Sequence, residues 1–451
     1  MPGKFVLLNS AFISQRKDYV QHTEPHLRAG IAILAAVLRK EGLDVSILDP
    51  QAEKMTLEQL VEEIRKTNPG YLALPAYTEE IIDAAKIAEE VKKNNPHIVT
   101  IVGGQHVTAL PHETLKQFPS FDIVCVGEGE STLRSIVQGK ALKDINGLAY
   151  RSAEGDISVN PPRKDFEDLN TLPFPAWDLY DLKKYSVVPV EPLRGCPFEC
   201  VFCFRTLGRD VRYKSPQRII EEIRYGMDNY GFKRFDLKAG TFPLSKPHAM
   251  EFCQRFIKEK LNIRWIASTR VNTIDEDLVR AMKESGCDEL SLGIESADPK
   301  ILELCGKGTT PEMAEKVLKI CKEVGITNIE LNFILGLPFE TKESLLKTKK
   351  FALKMRRYCS SVNFAILTPF PGTQIYEMAR KNQNGFSLKT GDWTAYGKQA
   401  GTALGHPNFT QEQLVRYQAN FYLAYYLRSP LKAIKLFSLR RMIGFLKKLF
   451  V

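Results

Sequence analysis

The feature that most restricts the fold of this chain is an alternation of short apolar runs with amphipathic segments, which occurs twice along the sequence. In the first half, each apolar run closes at Gly, Pro or Asp. Runs of this kind are typical of strands buried in a parallel sheet, because helical crossovers cover both of its faces. The pattern predicts an α/β fold whose residues 1–150 form a doubly wound domain. Its predicted strands are KFVLLNS, DVSILD, YLALPA, IVTIVGG and DIVCVGEGE.

The second alternation predicts a barrel over residues 186–385. Six strand-like runs, among them RWIASTR and IELNFILGLP, alternate with helical stretches such as PEMAEKVLKICKEVG. Six such units predict a partial (β/α)6 barrel with its site at the C-terminal strand ends. The Pro-rich residues 151–185 are predicted to be a linker with a small hairpin, and residues 386–451 a helical C-terminal region.

Three cysteines follow the first barrel strand with C-x3-C-x2-C spacing: Cys196, Cys200 and Cys203. A structural zinc site needs four ligands, and His248 downstream has no partner at a ligand spacing. A redox pair of Cys200 and Cys203 leaves Cys196 without a role. Three thiolates can instead hold three irons of a [4Fe-4S] cluster and leave the fourth iron open to another ligand.

Composition limits the class of protein. The 451 residues are 44% hydrophobic and 26% charged, and no apolar run is long enough to cross a bilayer. The chain has nine cysteines, and those outside the triplet are scattered singly along it. This distribution argues against a disulfide framework and for a reducing cytoplasm. The net charge of +10 arises largely in the C-terminal segment. Nucleic-acid binding would need a basic patch interleaved with aromatic residues on a known module, so no nucleic acid is expected as a partner.

At the triplet the sequence resembles a known family. RGCPFECVFC resembles the CxxxCxxC cluster loop of radical S-adenosylmethionine (SAM) enzymes, and LGIESADPKILELCGKGTT and LNFILGLPFET resemble their later barrel strands. GIAILAAVLRKEGLDVSILD, VGGQHVTALPHE and VGEGEST resemble the cobalamin-binding domain fused to one subgroup. The resemblance covers residues 1–385. It implies that the three cysteines hold a [4Fe-4S] cluster and that Phe202 packs against the adenine of SAM.

The same resemblance implies further SAM contacts. Arg270 and Glu295 are expected at the methionine or ribose part, and Asn332, Ile334 and Gly336 along the molecule. A salt bridge to a barrel helix is the alternative for Arg270. For Glu295, a buried carboxylate without a partner is costly, which favours a functional role.

One stretch departs from the family pattern. Many relatives carry acidic residues after the second barrel strand, where this chain has KAGTFPLSK. Lys238 and Gly240 stand there instead, so the resemblance does not carry over the usual contact at that edge.

Cobalamin contacts are expected at the strand ends of the N-terminal domain, where glycines let a bulky ligand approach the backbone. Charge compensation at a helix N-terminus is the alternative for the two glutamates. The D-x-H-x-x-G motif that supplies a cobalt-ligating histidine is missing, and we expect cobalamin without a protein histidine on cobalt. The predicted contacts are Tyr77, Thr78, Gly103, Gly104, Gln105, His106, Thr108, Gly127, Glu128 and Glu130.

The resemblance implies reductive cleavage of SAM to a 5′-deoxyadenosyl radical, with an electron donor such as flavodoxin or ferredoxin as partner. Methylation of an unactivated carbon on a small-molecule or lipid substrate is the expected outcome. A radical cyclase or C–C bond-forming enzyme is the alternative, and a non-catalytic cobalamin or cluster sensor a more distant one. No catalytic residue is assigned.

The C-terminal segment predicts two helices broken around Pro430. In the second, apolar residues recur at roughly helical spacing with Lys and Arg between them. A basic amphipathic helix of this kind lies on an anionic membrane surface or docks on the barrel with its basic face in solvent. The first alternative implies peripheral contact with the inner membrane surface and a lipid or isoprenoid substrate.

Overall fold

The computed structural model describes residues 3–12, 25–152 and 154–428. The predicted amphipathic tail from Ser429 onward lies outside the described residues. Within them, no helix combines the length and the apolar character that crossing a membrane requires.

The N-terminal domain is a seven-stranded sheet in the order β2-β1-β3-β4-β5-β6-β7. The first five strands are parallel, as predicted, and the last two add an antiparallel hairpin. The strands are β1 (Phe5–Leu8), β2 (Val45–Leu48), β3 (Tyr71–Pro75), β4 (Val99–Gly103), β5 (Ile123–Cys125), β6 (Leu148–Arg151) and β7 (Ile157–Val159).

Helices cover both faces of this sheet, which is why its parallel strands are apolar on both sides. The capping box of Thr56 and Gln59 starts the second helix, where the sequence TLEQ predicts it. The helices are α1 (Ala29–Lys40), α2 (Leu57–Thr67), α3 (Ile81–Asn94), α4 (Gln105–Ala109), α5 (Pro111–Gln117) and α6 (Glu130–Val137).

The segment after the sheet joins the two halves of the chain. Strand β7 lies inside the predicted linker, so the N-terminal sheet extends past residue 150 through the predicted hairpin. Trp177 is 1% exposed in an apolar cluster shared by the N-terminal domain and the barrel, and the amide of Ala176 donates to the carbonyl of Ala32. This segment therefore packs the two domains together.

The second half forms a parallel six-stranded sheet in the order β15-β14-β13-β12-β11-β8, a partial barrel as predicted. Within the part of the chain that the structure describes, β8 and β15 do not pair, so the barrel is open between them. A separate two-stranded ribbon follows the first barrel strand. The strands are β8 (Val188–Val190), β9 (Leu193–Arg194), β10 (Arg212–Tyr213), β11 (Arg234–Leu237), β12 (Arg264–Thr269), β13 (Cys287–Glu295), β14 (Asn328–Leu335) and β15 (Ser361–Ile366).

One barrel helix, α8, was missed by the sequence analysis. Ser245 caps it by accepting from the amide of His248, and it buries Phe252 and Phe256, one turn apart. The helices of this half are α7 (Pro216–Tyr230), α8 (Lys246–Lys258), α9 (Glu276–Glu284), α10 (Pro299–Leu304), α11 (Pro311–Val324), α12 (Lys342–Met355) and α13 (Gln374–Arg380).

The C-terminal region packs against both domains. After α13, a short antiparallel pair, β16 (Ser387–Leu388) and β17 (Leu404–Gly405), precedes α14 (Gln411–Leu427). Trp393 enters the core of the N-terminal domain, and its indole N–H donates to the Gln117 side chain over 2.8 Å. The chain thus returns to its first domain after it has completed the barrel.

Candidate functional site

A cavity of about 1450 Å³ lies between the two domains. The carboxyl ends of strands β3, β4 and β5 form one wall, and the first barrel strands with the cysteine loop form the other. The sequence predicted a site at each of these ends separately. The structure shows that they open into the same space.

Eight of the ten predicted cobalamin contacts line this cavity. Gly104 has φ +115°, and a Cβ there would lie 3.0 Å from the carbonyl oxygen of Ala76. A side chain would therefore be strained at this position, and the backbone stays bare towards the cavity. The eight are Tyr77, Thr78, Gly103, Gly104, Gln105, Gly127, Glu128 and Glu130.

His106 and Thr108 are not among the cavity-lining residues. His106 is 1% exposed; its Nδ1 lies 3.2 Å from the Thr78 hydroxyl and its ring packs edge-on to Trp393. Burial lowers the pKa of His106 to about 3, so its imidazole is neutral at neutral pH. Thr108 accepts a 3.0 Å hydrogen bond from the Gly127 amide and holds the loop after β5.

Glu128 and Glu130 form buried ion pairs with an arginine that the sequence analysis did not select. Arg194 donates to Glu128 over 2.6 Å and to Glu130 over 2.7 Å, and Glu128 also contacts Arg212. The expected alternative, compensation of a helix N-terminus, does not account for these pairs. No periodicity marks Arg194, and its only sequence signal is its place two residues before Cys196.

The cysteine loop leaves the ribbon of β9 and β10 at Gly195, which has φ +88° and no room for a Cβ beside the Asp210 carbonyl. Cys200 is buried, Cys196 partly buried and Cys203 exposed at the cavity wall. Among the described residues, no group of three or more Cys, His, Asp or Glu side chains is arranged to hold a single metal ion, and this includes the three cysteines.

The thiols of this loop fit an iron–sulfur cluster. The protein atoms packed around Cys203, and then the neighbouring Cys200 and Cys196, raise the pKa of its thiol to about 11. Thiolates that oppose each other's ionisation in this way are stabilised when cationic iron binds, because metal binding releases their protons. Three soft ligands without a fourth protein ligand match a cluster with one open iron.

Arg270 lies behind this loop. Its guanidinium is 4% exposed, donates to the Cys200 sulfur over 3.2 Å and to the Lys307 carbonyl, and stacks 3.7 Å from the centre of the Phe198 ring. In the described part of the chain, the alternative salt bridge to a barrel helix does not form. Arg270 therefore fixes the cysteine loop against the loop between α10 and α11.

Glu295 has a partner, which corrects the premise that it is a buried carboxylate without one. It accepts from the Lys307 ammonium over 2.8 Å, with 5% of the lysine and 10% of the glutamate side chain exposed. Glu295 also has φ +65°, an unusual conformation for a residue other than glycine. Lys307 lies between Gly306 and Gly308, both with positive φ. These two flanking glycines were the only feature of the sequence that could have marked Lys307 as a site residue.

The other predicted SAM contacts lie on β14 and its exit. Asn332 donates to Ser291 over 2.8 Å and accepts from Asn363 over 3.2 Å. Ile334, like Phe202, packs on a small apolar cluster. The Gly336 amide donates to Glu340 over 2.6 Å. Of the six predicted SAM contacts, only Phe202 lines the cavity, while Arg270, Glu295, Asn332, Ile334 and Gly336 do not.

Lys238 and Gly240, which follow the second barrel strand where many relatives have acidic residues, lie beside the cavity and the first cysteine. Lys238 pairs with Asp236 over 3.2 Å, and both line the cavity. A Cβ on Gly240 would lie 3.5 Å from the Cβ of Cys196. A glycine at this position keeps the side of the first cysteine uncovered.

Comparison with known proteins agrees with these two sites. Residues 190–352 match the Radical SAM superfamily, and residues 23–137 match the B12 binding domain. A protein of Pyrococcus horikoshii described as an uncharacterized methyltransferase is 37% identical over 436 residues, which are 94% of this chain and 93% of that protein.

A second relative has a different described activity. The anaerobic magnesium-protoporphyrin IX monomethyl ester cyclase of Rubrivivax gelatinosus is 31% identical over 77% of this chain and 65% of its own length. Among solved structures, the radical SAM methyltransferase TsrM of Kitasatospora setae has a TM-score of 0.71 at 18% identity, over 86% of this chain and 79% of that one. At that identity the likeness shows the fold.

Proposed function

Because this chain belongs to the radical SAM superfamily and to its subgroup with a fused B12-binding domain, we propose that it methylates an unactivated carbon of a small-molecule or lipid substrate. Its cofactors are a [4Fe-4S] cluster, SAM and cobalamin. The Pyrococcus protein described as a methyltransferase aligns along nearly the whole chain, which supports methyl transfer over the other activities of the family.

One observation carries the proposal. Cys203 and Phe202 of the cysteine loop line the same cavity as Gly103 and Gly104 of the N-terminal sheet. A substrate in that cavity is in reach of both cofactor sites. An enzyme that activates a carbon at one site and methylates it from the other needs this arrangement, because proximity and orientation lower the barrier.

The bound cluster supplies the electron for SAM cleavage, and cobalamin carries the methyl group. The protein's own residues hold and orient these groups. Arg270 anchors the cysteine loop through the Cys200 sulfur, and we propose that Glu295, held by Lys307, would bind the polar part of SAM. Gly104 leaves the wall of the N-terminal sheet open to a flat macrocycle.

Ring closure is the second candidate function, and the 31% identical cyclase is the observation that favours it. A cyclase builds a carbon–carbon bond within its substrate and adds no methyl group. The two functions therefore predict different product masses.

The deciding experiment is anaerobic reconstitution of the full chain with iron, sulfide, cobalamin, a low-potential one-electron reductant and SAM that carries a trideuterated methyl group. Extracts of a strain that lacks the protein supply the substrate, and mass spectrometry follows the products. Methyl transfer predicts a product that gains the trideuterated methyl group. A product that forms without the label, while 5′-deoxyadenosine is released, would favour ring closure and contradict the proposal.

A one-electron donor such as flavodoxin or ferredoxin is proposed as the partner, because the cluster must be reduced in each cycle. We also propose peripheral membrane contact through residues 429–451, which rests on their basic amphipathic sequence. Deletion of these residues is expected to abolish co-sedimentation with anionic liposomes. Unchanged sedimentation would remove both the membrane contact and its argument for a lipid substrate.

A further inference from the structure

Arg194 is the centre of a buried charge cluster between the two cofactor sites. Its side chain is 4% exposed and donates to Glu128, Glu130 and Glu191 over 2.6, 2.7 and 2.8 Å. Arg212 contributes a second cation through Glu128. Three carboxylates thus face two guanidinium groups, and Arg194 is the residue that contacts all three.

This cluster joins the loop of one cofactor site to the loop of the other. Arg194 ends β9, and Gly195 links it to Cys196 through a backbone that leaves no room for a Cβ. Glu128 lies in the loop between β5 and α6, Glu130 is the first residue of α6, and both line the cavity on the N-terminal side. A shift of the first cluster cysteine is therefore transmitted to the predicted cobalamin loop through one side chain.

The fork of the guanidinium is what makes the link rigid. Arginine presents several donors in a fixed plane, whereas a lysine is a single flexible point charge. Burial makes these pairs resist screening by salt. A cluster on the three cysteines would restrain their loop next to Arg194, which is already held by its ion pairs, so a second ligand that needs the same arrangement would bind at a smaller entropic cost.

We propose that Arg194 is a positioning residue that couples the cluster loop to the cobalamin loop, so that each cofactor strengthens binding of the other. Linkage requires the two effects to be equal in size. The inference rests on the two cofactor sites and not on the reaction, so it survives if the substrate is cyclised instead of methylated.

The first test uses the full chain without cofactors. Arg194→Lys keeps the buried charge balance, and Arg209→Met is the matched control because it removes an exposed ion pair of the same loop with Glu199. Hydrogen exchange of the amides of residues 126–131 should become faster in Arg194→Lys and stay at the wild-type rate in Arg209→Met. Unchanged exchange in Arg194→Lys would overturn the link between the loops.

The second test measures the Kd for hydroxocobalamin in cluster-free and cluster-reconstituted protein. In the wild type the ratio of the two Kd values should be about 5-fold or more, the range usual for coupled sites. The ratio should fall towards one in Arg194→Lys and persist in Arg209→Met. Glu130→Gln, which leaves two cations facing two carboxylates, should also lower the ratio and guards against a folding defect in Arg194→Lys. Equal Kd values for the cluster-free and cluster-reconstituted wild type would overturn the proposal. A ratio that stays at the wild-type value in both Arg194→Lys and Glu130→Gln would overturn it as well.

Discussion

The two walls of the cavity differ in the groups that they present: one presents glycine backbone and the other presents side chains. On the N-terminal wall, strand ends present Gly103, Gly104 and Gly127, whose backbone is bare. On the barrel side, Phe202 and Cys203 of the cysteine loop line the cavity, while Arg270 and the Glu295–Lys307 pair are buried charges that do not line it. A large macrocycle is accommodated by removing side chains, while a cluster and a charged nucleoside need side chains that bind them. A mutation on one wall should therefore remove that wall's cofactor and leave the other cofactor bound, with an affinity changed only by the coupling through Arg194.

The largest expected effect is on the barrel wall. Cys203→Ala removes a cluster ligand, so 5′-deoxyadenosine release should fall to the level of the protein-free reaction. Cobalamin should still bind, with the affinity of the cluster-free wild type. The measurements are iron content, chromatographic assay of 5′-deoxyadenosine and cobalamin titration. Cys253→Ala, at a buried cysteine of α8, is the control and should retain the cluster. Loss of cobalamin binding in Cys203→Ala would show that the walls are not independent.

The next effect is on the opposite wall. Gly104→Ala forces a side chain into φ +115° against Ala76, a strain of about 1–3 kcal/mol that should weaken cobalamin binding by roughly tenfold or more. Iron content should match the wild type. Gly139→Ala is the matched control, because Gly139 also has positive φ but a Cβ there meets nothing within 4 Å. Equal cobalamin affinity in the Gly104 and Gly139 variants would contradict the close approach.

Acid should weaken the N-terminal domain through His106. Its pKa is lowered from 6.5 to about 3 by burial, so its stabilising contribution is complete above pH 6.5 and is lost as the pH falls towards 3. At pH 5 the loss should be about 2 kcal/mol, because stability falls by about 1.36 kcal/mol for each pH unit below 6.5. Denaturant unfolding between pH 5 and 7 measures it, and His106→Phe should flatten the dependence. A slope that persists in His106→Phe would assign acid sensitivity elsewhere.

Alkali should act on the barrel in the opposite direction, with the smallest effect. Burial raises the pKa of Glu340 from 4.5 to about 8, although the amides of Gly336 and Leu337 that donate to it oppose the shift. Its contribution is complete below pH 4.5 and is lost as the pH rises through 8. Glu340→Gln should therefore destabilise the protein little and reduce the loss of stability between pH 6 and 8, as measured by denaturant unfolding. A variant that is as pH-dependent as the wild type would exclude Glu340 as the source.

Much of the fold followed from the sequence. The five parallel strands of the first domain and the six of the barrel were predicted from their short strand-like runs, although barrel strands such as β14 and β15 alternate buried and less buried residues. Helix α8 was missed although Ala249, Phe252, Cys253 and Phe256 recur at helical spacing, and Ser245 and a proline in the first turn mark its start. The sequence also did not show that the N-terminal sheet continues through β7. Antiparallel pairing at the edge of a sheet leaves little trace in apolar periodicity.

The sequence by itself predicts how the cluster is held, since three thiols within eight residues are close along the chain whatever the tertiary structure. Only the tertiary structure decided what the distant residues do. Arg194 and Glu130 are 64 positions apart and meet through packing of the two domains. Trp393 packs edge-on to His106 from the far end of the chain. Contacts between remote segments depend on how finished domains pack, and local residue patterns carry no record of that packing.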